Sequence, residues 1–154
     1  MTASPAKEDP DALGAVQRLL QQGEVAKALE TLNGLADAAQ SSVMGQYMRG
    51  VCLRLMGEFA NAESALRQLV EGNPSYGRAF QELGHLYRDA NMPTEALNAY
   101  ATACHLNPGL KASWAAQRDL IGKGSPERAA QINQRLQWLE SLPPALLASW
   151  DLLH

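Results

Sequence analysis

The sequence has few of the residues that mark several common protein classes. It contains two cysteines in 154 residues, too few for a disulfide framework. Only 6% of its residues are aromatic and its formal net charge is −3, which excludes a strongly basic nucleic-acid binder. No run of about 18 apolar residues is present, and residues 1–10 lack the apolar segment of a secretory signal. We therefore expect a cytoplasmic protein that binds neither nucleic acid nor membrane.

Residues that support catalysis or metal binding are scattered along the chain. No two histidines are four residues apart, and no H-E-x-x-H motif occurs. The two cysteines, Cys52 and Cys104, are isolated, which is typical of small buried apolar residues. Residues 122–125 (GKGS) have the composition of a phosphate-binding loop, but no predicted strand precedes them. The sequence predicts no enzyme activity, no metal site and no cofactor.

The chain repeats with a period of 34 residues. One column of the repeat contains Ala28, Ala62, Ala96 and Ala130. A second column, of turn formers, contains Gly23, Gly57, Asn91 and Ser125. Gly50 matches Gly84, and Pro74 matches Pro108. Glycine in a helix costs roughly 1 kcal/mol of helix propensity, so its recurrence predicts that two helices cross closely at that position.

The pattern predicts helices and no strands. We expect helices over residues 10–22, 25–38, 42–56, 59–72, 75–90, 93–106, 109–122 and 126–140, with another beginning near residue 144. The predicted repeats are 9–42, 43–76, 77–110 and 111–144. Residues 1–8 are predicted to be a flexible tail, and residues 145–154 a C-terminal helix.

The third repeat carries a family resemblance. It reads Phe80-x2-Leu83-Gly84-x2-Tyr87, followed by Ala96-x3-Tyr100 and Pro108. This resembles the tetratricopeptide repeat (TPR), whose pattern is W-x2-L-G-x2-Y…A-x3-F…P. The resemblance implies an all-α fold: a right-handed α-solenoid of about four helix hairpins, with a C-terminal capping or truncated helix. It also implies a scaffold or adaptor whose first helices line a concave groove that binds a segment of a partner protein.

The groove residues follow from helical geometry. We predict contacts from Tyr47, Val51, Arg54, Arg78, Gln81, His85 and Arg88, favouring a peptide with apolar anchors and acidic flanks. On the third repeat's first helix, this face is expected to be a polar surface that includes Gln81 and His85. In TPRs that bind a C-terminal carboxylate, lysines and asparagines occupy matching positions. This chain has Leu13, Gln17, Tyr47, Val51, Gln81 and His85 there, so we expect that clamp to be absent.

The second repeat has an unusual first helix. An apolar stripe comprises Met44, Tyr47, Met48, Val51, Cys52 and Leu55. In one interpretation, the helix is rotated or crowded by its neighbour and the stripe is ordinary core. In the other, it is an apolar groove floor centred on Tyr47, Met48 and Val51, whose methionine suits varied apolar ligands. In the same helix, Arg49 stands where the third repeat has Leu83.

The last residues allow a different function. Leu146, Leu147, Trp150 and Leu153 share one predicted helical face. We expect Trp150 or Leu147 to pack on Leu136, Leu139 or Trp138, and the partly apolar outer side of this helix to support self-association. The segment looks like the first helix of a further repeat. The region from Trp114 onward is also similar to the TPR part of bacterial TPR-sulfotransferase proteins, where repeats precede a domain that uses phosphoadenosine phosphosulfate. The alternative function is therefore substrate recruitment for a larger enzyme.

Overall fold

The computed structural model describes residues 12–153, except the side chains of residues 123 and 150–153. Its helices are α1 (Ala12–Gln21), α2 (Val25–Asn33), α3 (Asp37–Ser41), α4 (Val43–Leu55), α5 (Phe59–Gly72), α6 (Gly77–Asp89), α7 (Pro93–Leu106), α8 (Lys111–Ile121), α9 (Pro126–Glu140) and α10 (Pro144–Leu153). Between residues 12 and 153 there is no strand, which confirms the all-α prediction. The predicted tail, residues 1–8, lies outside the described residues.

The helices belong to two compact units, Met1–Gly72 (unit 1) and Asn73–His154 (unit 2). In unit 1, α1 pairs with α2 and α4 with α5, and α4 also packs on α1 and α2. The core that these helices share contains Val16, Ala28, Leu32, Met48 and Cys52. In unit 2, α6 pairs with α7 and α8 with α9, while α8 contacts both α6 and α7. Each unit is therefore a stack of two helix hairpins.

The helix crossings inside the second and third hairpins depend on two glycines. A Cβ atom on Gly84 of α6 would lie 2.7 Å from the ring atoms Cδ1 and Cε1 of Tyr100 on α7. A Cβ atom on Gly50 of α4 would overlap the side chain of Leu66 on α5. Real Cβ atoms do not approach neighbours this closely, so the close crossings predicted from the glycine column are confirmed.

The second predicted helix, 25–38, is wrong in its second half. α2 ends at Asn33, and a separate short helix, α3, begins at Asp37. The Gln40 side chain donates hydrogen bonds to the carbonyl oxygens of Asn33 (3.1 Å) and Leu35 (2.8 Å). These bonds satisfy acceptors that the break in the helix would otherwise leave open.

Arg49 connects this irregular segment to α4. Its guanidinium donates hydrogen bonds to Oδ1 of Asn33 (2.6 Å) and to Oε1 of Gln40 (2.8 Å). Leu83 is a core residue in the third repeat. At the matching position of the second repeat, Arg49 instead makes polar contacts with the segment around α3. The extra helix α3 explains the departure from the repeat pattern at Arg49.

The fourth hairpin follows a different spacing. Pro93 begins α7 and Pro126 begins α9, which are 33 residues apart rather than 34. Gly23, Gly57 and Asn91 all have positive φ angles, as their column predicts, whereas Ser125 has a φ of −149° and the positive φ falls on Gly122. Ser125 is nevertheless the residue before Pro126, where α9 begins, which agrees with its predicted place in the connection between two helices.

The same shift changes the alanine column. Ala28, Ala62 and Ala96 have no exposed surface, which confirms the column in three repeats. Ala130 is exposed, and α9 instead buries Ile132 and Leu139. Assigning Ala130 to a close helix contact was wrong, because α9 begins one residue earlier than the 34-residue spacing predicts, and a shift of one residue turns the helical register by about 100°.

The C-terminal segment forms the predicted helix, α10. Among its residues with described side chains none is buried; Leu147 is half-buried and Leu146 is 44% exposed. The side chains of Trp150 and Leu153 lie outside the described set. The predicted packing on the fourth hairpin therefore stays a prediction.

The alanine column leads to a paired stability test. Ala96→Leu should lower the free energy of unfolding by roughly 1–3 kcal/mol, because leucine overpacks a filled helix contact. Ala130→Leu makes the same change at an exposed site and should alter the free energy of unfolding by less than about 0.5 kcal/mol. Urea unfolding followed by circular dichroism measures both. Equal effects from the two substitutions would contradict the spacing assigned to the fourth hairpin.

Candidate peptide-binding surfaces

The apolar stripe of α4 divides between two faces. Met48 (4% exposed) and Cys52 are buried in the unit 1 core, so these positions are ordinary core and Met48 is no part of a groove floor. The outer α4 residues, Met44, Tyr47, Val51 and Leu55, follow one another at spacings of three and four, which places them on one helical face. Met44 is 42% exposed and Leu55 is 49% exposed. Tyr47 and Val51 are half-buried, and Tyr47 also packs against the core.

Two of the predicted polar groove residues on α6 have partners inside unit 2. The Gln81 side chain is only 8% exposed, and its Oε1 accepts a hydrogen bond of 2.8 Å from the Ser113 hydroxyl on α8. The Nδ1 atom of His85 shares a hydrogen bond of 2.5 Å with the Tyr100 hydroxyl, and the two rings meet edge to face at 5.3 Å. The prediction of an open polar surface was therefore wrong for Gln81, which connects α6 to α8.

The predicted arginines lie closer to solvent. Arg54 on α4 and Arg78 on α6 are half-buried, and both take part in interactions within the chain. Arg88 is exposed and lies 3.9 Å from the carboxylate of its neighbour Asp89, which is a weak pair. Unit 1 thus presents Tyr47, Val51 and Arg54, and unit 2 presents Arg78, His85 and Arg88.

The fourth hairpin carries a cluster of side chains that the sequence pattern did not indicate. The Arg135 guanidinium carbon lies 5.5 Å from the ring centroid of Trp114 and 5.7 Å from that of Trp138, within cation–π range of both. Arg128 and Arg135 line one cleft together with Trp114, and Arg128 lies two turns before Arg135 on the same face of α9. The spacings of three between Arg135 and Trp138 and of seven between Arg128 and Arg135 carry this signal in the sequence.

Neither cysteine has the environment of a nucleophile. Burial raises the pKa of the Cys52 thiol to about 11 and that of the Cys104 thiol to about 12. Both thiols are therefore protonated at neutral pH, and the thiolate is the reactive form. No cluster of three metal-binding side chains occurs in the part of the chain that the structure describes. No helix there is long and apolar enough to cross a membrane.

The cysteines provide a pH test. An unfolded thiol ionises near pH 8.5, so iodoacetamide should label the urea-unfolded chain faster as the pH rises from 7 to 9. The native thiols should stay protonated over this range because their pKa values are raised, and their labelling should stay slow. Mass spectrometry of peptides containing Cys52 and Cys104 measures both rates. Native labelling as fast as that of the unfolded chain would contradict the buried, protonated state.

Comparisons with known proteins agree with this architecture. A crystal structure of MamA covers 87% of this chain and 81% of its own, with 22% sequence identity and a TM-score of 0.69. MamA 41-end from Desulfovibrio magneticus RS-1 covers 87% of this chain and 77% of its own, with 20% identity and a TM-score of 0.67. At these identities the similarity establishes the fold. No curated protein gives a significant sequence match.

The family comparison gives the assignment. The family model described as tetratricopeptide repeat matches residues 13–77 and again residues 56–110. Together these matches span most of the chain and end before the fourth hairpin, where the spacing changes. The chain belongs to the tetratricopeptide repeat family.

Proposed function

We propose that this protein is an interaction scaffold that holds a segment of a partner protein against the first helices of its repeats. In unit 1, the proposed contacts are Tyr47, Val51 and Arg54. In unit 2, they are Arg78, His85 and Arg88. Gln81 takes a supporting role, since its hydrogen bond to Ser113 fixes α6 relative to α8.

The observation that carries this proposal is the apolar face of α4. Met44 and Leu55 each leave more than two fifths of their surface in water, although α4 has a second face that fills the unit 1 core. Apolar residues aligned along one exposed helical face are typical of sites that bind apolar groups of another protein. Methionine adds a flexible, polarisable contact that adapts to different side chains. These features support a partner segment with apolar anchors.

The arginines indicate which charged residues the partner segment should contain. Arg54 is one residue from Leu55 on α4, and Arg78 and Arg88 lie on the first helix of the third repeat. Each unit thus carries arginine on a first helix of a chain with a net charge of −3, and these charges favour acidic residues in the segment that the unit binds. Charge attraction of this kind weakens as added salt screens it.

The function can be tested with a displayed library of random peptides. Peptides selected on the folded protein should be enriched in apolar residues flanked by Asp or Glu. Titrating one such peptide into the 15N-labelled protein should shift amide resonances of α4 and α6. Selected peptides that shift only resonances of α5, α7 or α9 would place binding on the second helices and contradict the proposal.

A matched pair of substitutions sharpens this test. Leu55→Ser removes an exposed apolar side chain from α4 and should weaken peptide binding about fivefold, which corresponds to about 1 kcal/mol. Met92→Ser removes a similarly exposed side chain that is not on a first helix, and binding should not change. Fluorescence anisotropy of the labelled peptide measures both affinities. Loss of affinity in both variants, or in neither, would contradict the assignment to α4.

The same surface serves the alternative function. A repeat region that recruits substrates for a larger enzyme, such as a sulfotransferase, would present its protein substrate to first-helix residues in the same way. The library experiment therefore tests the binding surface under either function.

Self-association is a separate proposal that rests on α10. Leu146 is 44% exposed, and no described side chain of this helix is buried. An exposed apolar helix favours contact with a second copy. Sedimentation velocity should show an average mass that rises with concentration, and Leu146→Asp should abolish that rise. A wild-type protein that stays monomeric at the highest accessible concentration would rule out this proposal.

A further inference from the structure

A cleft in unit 2 lies between the second helices of two successive repeats. Its walls are the end of α7 and the exposed side of α9, and α8 forms its floor. Two adjoining cavities of about 370 and 200 Å³ share the side chains of Trp114, Gln117, Arg128 and Arg135. None of these residues belongs to the proposed peptide contacts of the first helices. The cleft is therefore a second surface, and its role does not depend on the groove proposal.

The floor and the aromatic wall of this cleft are held in place by hydrogen bonds. Nε1 of Trp114 donates to the Pro108 carbonyl oxygen at 2.8 Å, which fixes the indole ring at the end of α7. Nε2 of the buried Gln117 donates to the sulfur of Cys104 at 3.2 Å and so connects α8 to α7. Since both hydrogen bonds are made within the chain, they fix the floor and wall of the cleft, and little ordering cost opposes binding.

Arg135 occupies the centre of the site. Its guanidinium lies within 5.5 and 5.7 Å of the Trp114 and Trp138 ring centroids. Burial raises the pKa of the nearby Cys104 thiol, while the hydrogen bond from Gln117 and the positive charge of Arg135 lower it in part. Contact with aromatic faces restrains the planar group and leaves its N–H edge for an anion.

The two arginines of the cleft differ from Arg67 and Arg118, which pair with carboxylates. Arg67 pairs with Glu63 at 2.8 Å, and Arg118 pairs with Asp119 at 3.1 Å. Over the described side chains, no carboxylate lies within ion-pair distance of Arg128 or Arg135. In a chain with a net charge of −3, the described carboxylates thus leave these two neighbouring cations unpaired in one cleft. This arrangement complements a negatively charged group from outside the chain.

We propose that this cleft binds an acidic segment of a partner protein. A Glu or Asp carboxylate accepts hydrogen bonds from Arg135, and Arg128 adds a second positive charge. An apolar residue next to that carboxylate packs on the Trp114 ring and Pro108. The two arginines thus match the negative charge of a carboxylate, and the aromatic wall matches one apolar side chain. A nucleic acid would require a longer basic surface than this cleft provides.

The test uses the full chain labelled with 15N and short peptides blocked at both ends. One peptide alternates Glu with Leu, and its control has Gln in place of every Glu. The chain has three tryptophans, so its indole N–H resonances are few and can be assigned with Trp114→Phe and Trp138→Phe. The acidic peptide should shift the indole resonances of Trp114 and Trp138, and the Gln peptide should not.

Substitutions identify the residues that bind the carboxylate. Arg135→Gln should weaken binding of the acidic peptide about tenfold or more, since it removes charge-assisted hydrogen bonds. Arg135→Lys keeps the charge but loses the planar donors and should weaken binding less. Arg128→Gln changes an exposed side chain and should weaken binding about threefold. Arg67→Gln removes the same charge from unit 1 and should leave the affinity unchanged.

Several outcomes would overturn the proposal. Equal binding of the Glu and Gln peptides would exclude carboxylate recognition, and equal weakening by Arg67→Gln would indicate nonspecific charge attraction. Larger indole shifts with inorganic phosphate or a single-stranded oligonucleotide would assign the cleft to phosphate. Shifts confined to α4 and α6 would support the groove and reject the cleft. Melting curves of each variant, followed by circular dichroism, exclude unfolding as the cause of lost binding.

Discussion

The close helix crossing inside a hairpin is the constraint on which the other features of these units depend. At Gly84 the α6 backbone approaches the Tyr100 ring so closely that no side chain fits between them, and Gly50 makes the same approach to Leu66. Glycine destabilises a helix interior, so the packing gained must exceed that cost. Fully buried alanines on the facing helices, Ala62 and Ala96, keep the crossing tight. Because the two helices are held at this distance, the side chains on their remaining faces have fixed positions.

The fixed crossing also determines which polar groups enter the interior. Tyr100 is fully buried, and its hydroxyl needs a hydrogen-bond partner, which His85 provides from the neighbouring turn of α6. Ser113 and Gln81 satisfy each other in the same way between α6 and α8. The bond between Ser113 and Gln81 fixes the position of α8 relative to α6. Apolar contacts alone would restrict that position less. Some polar residues on a first helix therefore bond to a neighbouring helix inside the unit, and others face solvent, where they are proposed to contact a ligand.

Much of the fold follows from the sequence, because each repeated column has a local physical cause. Turn residues at Gly23, Gly57 and Asn91 and prolines at helix starts predict most helix ends to within a few residues. The break after Asn33 depends instead on the side chains of Gln40 and Arg49, which reach back to α2 from later positions. Helical periodicity placed Gln81 on an outer face and had no information about Ser113, 32 residues later. The cleft on α9 was missed because its arginines look like ordinary solvent-facing charges until Trp114 is placed beside them.

The 33-residue spacing between the starts of α7 and α9 has a consequence for exchanging repeats. Suppose the fourth repeat were replaced or copied in units cut every 34 residues, as consensus repeat arrays usually are. The register of α9 would then follow that of α7, whose buried positions are Ala96, Ala99, Tyr100, Ala103 and Cys104. Residues at the matching places would be Ala130, Asn133, Gln134, Gln137 and Trp138. Such a hybrid would turn a mostly polar face of α9 towards the interior, where its side chains would have no partners. The fourth hairpin can therefore be exchanged with the others only if the 33-residue spacing between the starts of α7 and α9 is kept.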